Sequence, residues 1–232
     1  MTVRTAEYAD RGALVAAVAA QIVKDLQAAV SAHGSAILIV PGGTTPVAVF
    51  EHLAATPFAW DKVTVVPCDE RWVGIEHPDS NEGLIRRHLL QGEASAAGVL
   101  GLYRQTATPA EAVDAVAAAL AKLPRPFSSV FLGMGEDGHF ASLFPGRQQT
   151  PAALDLNNKA DIMVLPEPAK GHPRIGLTLS ALVDCSHVLL AVTGAEKRIV
   201  LDRAMADINA DTYPIAALLR QTRTPVDIFT GA

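Results

Sequence analysis

Apolar positions along the chain follow two alternating patterns. Leu14, Val18, Ile22, Leu26 and Val30 recur every four residues, which predicts an amphipathic helix over 11–32 with Gly34 just past its end. Ala36-Ile37-Leu38-Ile39-Val40 is then continuously apolar, as strands are when a parallel sheet is covered on both faces. The same reading predicts strands at 63–66, 129–132, 162–165, 175–179, 187–192 and 226–229, the last closing the sheet. Helices are predicted at 46–53 behind Pro46, at 80–90 with Ser80 as cap, at 108–122 behind Thr108-Pro109-Ala110-Glu111, at 195–206, and from Pro214 onward. This alternation predicts an α/β fold, with helices on both faces of a mostly parallel central sheet, in one domain over 1–232.

Composition narrows the classes. The 232 residues are 50% hydrophobic and 19% charged, below the usual share of about 25%, so a disordered chain is excluded. A net charge of -5 gives no drive toward nucleic acid or an anionic membrane, so an anionic ligand needs a local basic cluster. No apolar run approaches about 18 residues, and the polar stretch 1–10 has no signal core; no membrane span is expected, and the cytoplasm is the default. Cys68 and Cys185 have no metal or CxxC spacing and read as unpaired thiols.

Ligands of open parallel sheets sit beyond the carboxyl ends of the strands, so the residues following strands carry the candidate chemistry. Pro41-Gly42-Gly43-Thr44-Thr45-Pro46 joins a strand to a helix; Gly42, Gly43, Thr44 and Thr45 suit an anion cradle or a tight turn. In Asp69-Glu70-Arg71-Trp72, Asp69 is a candidate proton acceptor or a partner of Arg71, and Arg71 a candidate phosphate ligand; Ser80-Asn81 can hold this loop in place. Gly133-Met134-Gly135-Glu136-Asp137-Gly138-His139 has a formal GxGxxG, but Glu136 and Asp137 stand where a pyrophosphate would bind. It reads better as a turn that aims His139, a base titrating near neutrality, with Asp137 or Glu136 to orient it. Arg174, at a strand start, and Lys197, in the first turn of a helix where an anion would relieve its clash with the dipole, complete the basic set. None of the histidines has HExxH-like spacing, and no GxSxG elbow is present.

Together these segments resemble the 6-phosphogluconolactonase family. The specific block is Gly135-Glu136-Asp137-Gly138-His139-Phe140-Ala141-Ser142-Leu143-Phe144-Pro145-Gly146; Gly42 to Pro46, Asp69 to Val73 with Ser80-Asn81, Arg174-Ile175 and Gly194 to Lys197 follow the family's other blocks in order. Two departures are Phe140, where the family usually has threonine, and the Pro-Gly-Gly-Thr-Thr form of the first block. The resemblance implies a modified Rossmann-like sheet, no metal or organic cofactor, and a phosphorylated sugar lactone as small-molecule partner. It implies His139 as general base; a monomer or small homo-oligomer is expected. The related glucosamine-6-phosphate deaminases carry a ring-opening glutamate that would fall at Phe144, which argues against deamination. How Arg71 and Arg174 divide between phosphate and carbonyl stays open.

Overall fold

The computed structural model describes residues 3–165, 171–206 and 209–231. The first half runs β1 (Val3–Tyr8), α1 (Arg11–His33), β2 (Ala36–Val40), α2 (Val47–Ala54), β3 (Val63–Pro67), β4 (Asp69–Arg71), α3 (Asn81–His88), β5 (Gly98–Val99) and α4 (Val113–Leu120). The second runs β6 (Ser129–Gly133), α5 (Thr150–Leu154), β7 (Ile162–Leu165), β8 (Arg174–Leu177), α6 (Leu179–Leu182), β9 (Val188–Thr193), α7 (Ala195–Ala206), α8 (Ile215–Arg220) and β10 (Val226–Gly231).

Among the described residues, seven strands form one sheet in the order β1-β10-β9-β6-β2-β3-β5, every neighbouring pair parallel. Period-two alternation divides its side chains between two cores. Ile37 and Ile39 of β2 and Val188, Leu190 and Val192 of β9 face one side. Ala36, Leu38 and Val40, with Leu189 and Ala191, face the other, where α1 lays down Leu14, Val18, Ile22 and Leu26. Asp10 caps α1 by accepting from Ala13 N–H at 2.8 Å, and Gly34 ends it in the left-handed region at φ 77°. Although α1 is long and apolar enough to span a bilayer, this stripe lies on the sheet, so α1 is a core helix.

A second sheet, β4-β8-β7, is antiparallel and lies on the face that also holds α4, α7 and α8. It sets Arg71 opposite Arg174 and Asp69 opposite Gly176. A Cβ on Gly176 would come within 3.0 Å of the Asp69 Cβ, so glycine is what lets the two strands close at that point.

Several expectations need correction. The sheet ends on β1, not β10; four of the six β1 residues are exposed, so an edge strand there left no apolar signal. Strand β8 stops at Leu177, because Thr178 caps α6 by accepting from Ala181 N–H. Ser80 caps α3 as expected, accepting from Gly83 N–H at 3.0 Å. Thr108 does not cap; its hydroxyl donates to Glu111 Oε1, and residues Pro109–Ala112 form a 3-10 turn before α4.

His187, just before β9, is buried at the amino ends of the strands. Its Nδ1 lies 3.2 Å from Asp25 Oδ2 of α1, and its Nε2 3.1 Å from Asp227 Oδ2 of β10; Asp227 also accepts from Arg4 of β1 at 2.8 Å. Burial by itself lowers the imidazole pKa, but the hydrogen bond and charge of Asp25 and the charge of Asp227 outweigh it, and the pKa is raised. The stabilisation from charged His187 is therefore full below the unfolded value near ~6.5 and is lost as pH rises through the higher folded value. Thermal denaturation should show Tm falling across that window for the native chain. In His187→Gln that component of the fall should vanish; identical pH profiles would contradict the linkage.

Candidate active site

Strand order reverses at β2. From β2 the chain moves to β3 and β5 on one side, then returns to β6 on the other. The turns after β2 and β6 therefore diverge and leave a crevice at the carboxyl edge. Gly42, Gly43, Asp69, Arg71, Asn81, His139, Ser142 and Arg174 line this small cleft. A larger cavity of about 620 Å³ opens at the opposite edge, beside His187. Size favours the second and chemistry the first, because the glycine turns, the His139–Asp137 pair and both arginines meet only at the carboxyl edge.

The loop after β6 is a tight turn. Gly135 N–H donates to the His139 carbonyl at 2.9 Å, Gly138 N–H to the Gly135 carbonyl at 3.1 Å, and Gly138 has φ 76°. This folds Asp137 back onto His139: Asp137 Oδ1 is 2.5 Å from Nδ1 and accepts from the His139 backbone N–H at 3.1 Å. Burial raises the Asp137 carboxyl, but the hydrogen bond and charge of His139 prevail and hold it below the ordinary carboxylate range. An ionised carboxylate only accepts, so the proton between them sits on Nδ1, and in the neutral imidazole the lone pair is on Nε2. The Phe144 ring packs on the imidazole with centroids 4.3 Å apart.

A buried polar cluster forms the second wall. Arg174 Nη1 donates to Ser142 Oγ at 2.9 Å and lies 3.5 Å from Asp69 Oδ2, while Ser142 Oγ donates to the same Asp69 oxygen. Ala141 and Ser142 both adopt left-handed backbone, at φ 47° and 62°. Burial lowers the Arg174 pKa, opposed by the Asp69 charge and reinforced by that of Arg71. Arg71 donates through Nη1 to the Asp79 carbonyl at 2.9 Å. The Nε–H groups of Arg71 and Arg174 are buried without a hydrogen-bond partner. Two neighbouring guanidiniums with unused donors suit an anionic oxygen.

Asn81 and Glu70 hold this wall together. Asn81 Nδ2 donates to the Asp69 carbonyl at 2.7 Å, and a Cβ on Gly42 would fall 1.9 Å from Asn81 Oδ1, so Gly42 is needed for that packing. Glu70 is fully buried and accepts from the backbone N–H groups of Arg71, Asn81 and Glu82, each at 2.8 Å, which closes the α3 N-terminus. Burial pushes its carboxyl up to about 7 against the pull of those donors.

The structure thus brings together His139, Asp137, Asp69, Arg71, Arg174, Gly42 and Gly43. It separates Glu136, which is exposed; Asp137, not Glu136, holds the imidazole. Asp69 positions Arg174 and Ser142 rather than Arg71. Thr44 and Thr45, before α2, and Lys197, in the first turn of α7, lie outside the cleft walls. Ser142 was missed as a site residue; it stands inside the signature block, and only the fold shows it bonded to Arg174 and Asp69.

Comparison with known proteins agrees with this architecture. The family model for glucosamine-6-phosphate isomerases/6-phosphogluconolactonase matches residues 9–226. A 6-phosphogluconolactonase of Pseudomonas putida is 42% identical over 98% of this chain and 92% of its own length. One of Caulobacter vibrioides is 40% identical over 95% and 94%. The crystal structure of a 6-phosphogluconolactonase from Shewanella baltica superposes with a TM-score of 0.96 at 36% identity, covering 100% of this chain and 98% of that one.

Gly135 gives a direct test of the imidazole's placement. A Cβ there would lie 2.2 Å from both Cε1 and Nδ1 of His139 and 2.8 Å from Asp137 Oδ1. Gly135→Ala should therefore displace the ring and lower turnover by about 10²-fold, with a far-ultraviolet spectrum like that of the native chain. Unchanged turnover would show that the ring position is not what matters.

Proposed function

Because the chain belongs to the glucosamine-6-phosphate isomerase/6-phosphogluconolactonase family, we propose that it hydrolyses 6-phospho-D-glucono-1,5-lactone to 6-phospho-D-gluconate, a step of the oxidative pentose phosphate pathway. The observation that carries this reading is the His139–Asp137 pair, with its free Nε2 in a cleft shared with two arginines whose Nε–H donors are unpaired.

Nε2 of His139 takes a proton from water as the water oxygen bonds to the lactone carbonyl carbon. The carbonyl electron pair moves onto its oxygen, giving a tetrahedral alkoxide. Asp137 keeps the imidazole in its working tautomer and balances the charge it acquires. Arg71, Arg174 and the backbone N–H groups around Gly42 and Gly43 stabilise anionic oxygen in the cleft. The alkoxide then re-forms the carbonyl and the bond to the ring oxygen breaks. The leaving ring oxygen receives the proton held by His139. Thr44, Thr45 and Lys197, beyond the cleft walls, bind the phosphate, which lies at the far end of the sugar from the reacting carbon.

Phe144 supports hydrolysis over deamination. Its ring packs on His139, and the Arg174 guanidinium carbon lies 5.4 Å from its centroid, so an apolar group fills the space where the deaminases carry their acid.

The decisive assay follows acid release from freshly generated lactone against an enzyme-free blank. Native protein should accelerate it, and His139→Ala should lower kcat by about 10²–10⁴-fold with little change in KM. Lys197→Ala should chiefly raise KM. Absence of acceleration by folded protein, or native turnover in His139→Ala, overturns the reading; ammonia release from glucosamine 6-phosphate would replace it with deamination.

A further inference from the structure

Two histidines that take no part in this chemistry meet near the cleft. His77 lies in the loop between β4 and α3, and His172 just before β8. The antiparallel pairing of β4 with β8, extended by Trp72 N–H donating to the Pro173 carbonyl at 2.7 Å, sends these two loops out side by side. The imidazole rings stand edge to face with centroids 5.1 Å apart. Asp79 serves both: its Oδ2 is 3.1 Å from His172 Nε2 and 3.9 Å from His77 Nδ1. One donor atom from each of the three residues lies within 4.8 Å of the other two.

We propose that His77, Asp79 and His172 bind a divalent first-row transition cation of the zinc type. Two imidazoles and one carboxylate form a donor set for a borderline-soft cation, not for calcium or magnesium, which take oxygen. Zinc bonds of about 2.0–2.1 Å in tetrahedral geometry separate the ligand atoms by about 3.3 Å. The two separations to Asp79, 3.1 and 3.9 Å, bracket that value, and the two imidazole nitrogens lie within 4.8 Å of each other, so rotation of these solvent-reachable side chains completes the site. His77 Nδ1 now accepts from the Asp79 backbone N–H at 3.1 Å; that lone pair passes to the cation, and Nε2 keeps the proton. Three protein ligands leave a fourth position for water. An ordinary ion pair would need only one imidazole on Asp79, and at this exposure it is worth little.

The site is coupled to the cleft. Asp79 offers its carbonyl to Arg71, and His172 precedes Arg174 by two residues. A bound cation ties together the two loops that carry the guanidinium groups. The Arg71 charge beside Asp79 opposes binding and lowers the affinity.

The test uses untagged full-length protein treated with EDTA and then titrated with Co²⁺, read by visible d–d absorption, and with Zn²⁺ by calorimetry. One equivalent should bind. The double variant His77→Ala/His172→Ala should lose at least tenfold in affinity, and His139→Ala should bind as the native chain does. All three imidazoles are solvent-reachable, so the variants should fold, as circular dichroism can check. No saturable binding, binding that survives the double substitution, or binding lost in His139→Ala would each overturn the proposal.

Discussion

The buried contact of Asp69 with Arg174 is what the site depends on. It spans the β4–β8 pair, so it joins the small antiparallel sheet to the cleft wall. Both partners are largely out of solvent, and removing either would leave an uncompensated charge at a cost of about 3–5 kcal/mol. The pair is sustained because the Asp69 side of it is well hydrogen-bonded. Ser142 bonds both partners, Cys68 Sγ lies 3.1 Å from the other Asp69 oxygen, and Asn81 holds the Asp69 carbonyl. Arg174 is thereby fixed with its buried Nε–H unspent.

The large sheet does a different task. Its central strands β2, β6 and β9 are apolar on both faces, and their register is held by two cores that cannot exchange without turning every side chain over. A frame this constrained lets the turns at its carboxyl edge contain unfavourable geometry: clustered glycines, neighbouring guanidiniums and left-handed Ala141 and Ser142. At the amino edge the same frame is closed by charge, with His187 bridging α1 and β10.

Much of this was legible in the chain. Continuous apolar runs gave β2, β6 and β9, and the four-residue repeat of Leu14 to Leu26 gave α1, because burial leaves a periodic record in the residues it requires. The exposed β1 and the very short β4 and β5 left no such record. At the site, His139 and its glycines were readable because the turn itself demands them. The choice between Asp137 and Glu136 was not, since adjacent acids differ only in the direction the turn gives them. Nor was the match of Asp69 with Arg174, which lie far apart in sequence and meet through strand pairing. The same holds for His77 and His172, which no local spacing could join.

Consecutive left-handed residues without glycine carry a further implication. Such a conformation costs of order 1–3 kcal/mol per residue, and here it aims Ser142 at Asp69 and Arg174. Glycine at position 141 would relieve part of that strain and favour the folded state, while freeing the segment that braces the arginine; at position 142 the relief would be offset by loss of the hydroxyl between Asp69 and Arg174. Selection for heat resistance and selection for turnover would therefore pull position 141 in opposite directions. A variant library scored on melting temperature alone would enrich the substitutions that a library scored on activity rejects.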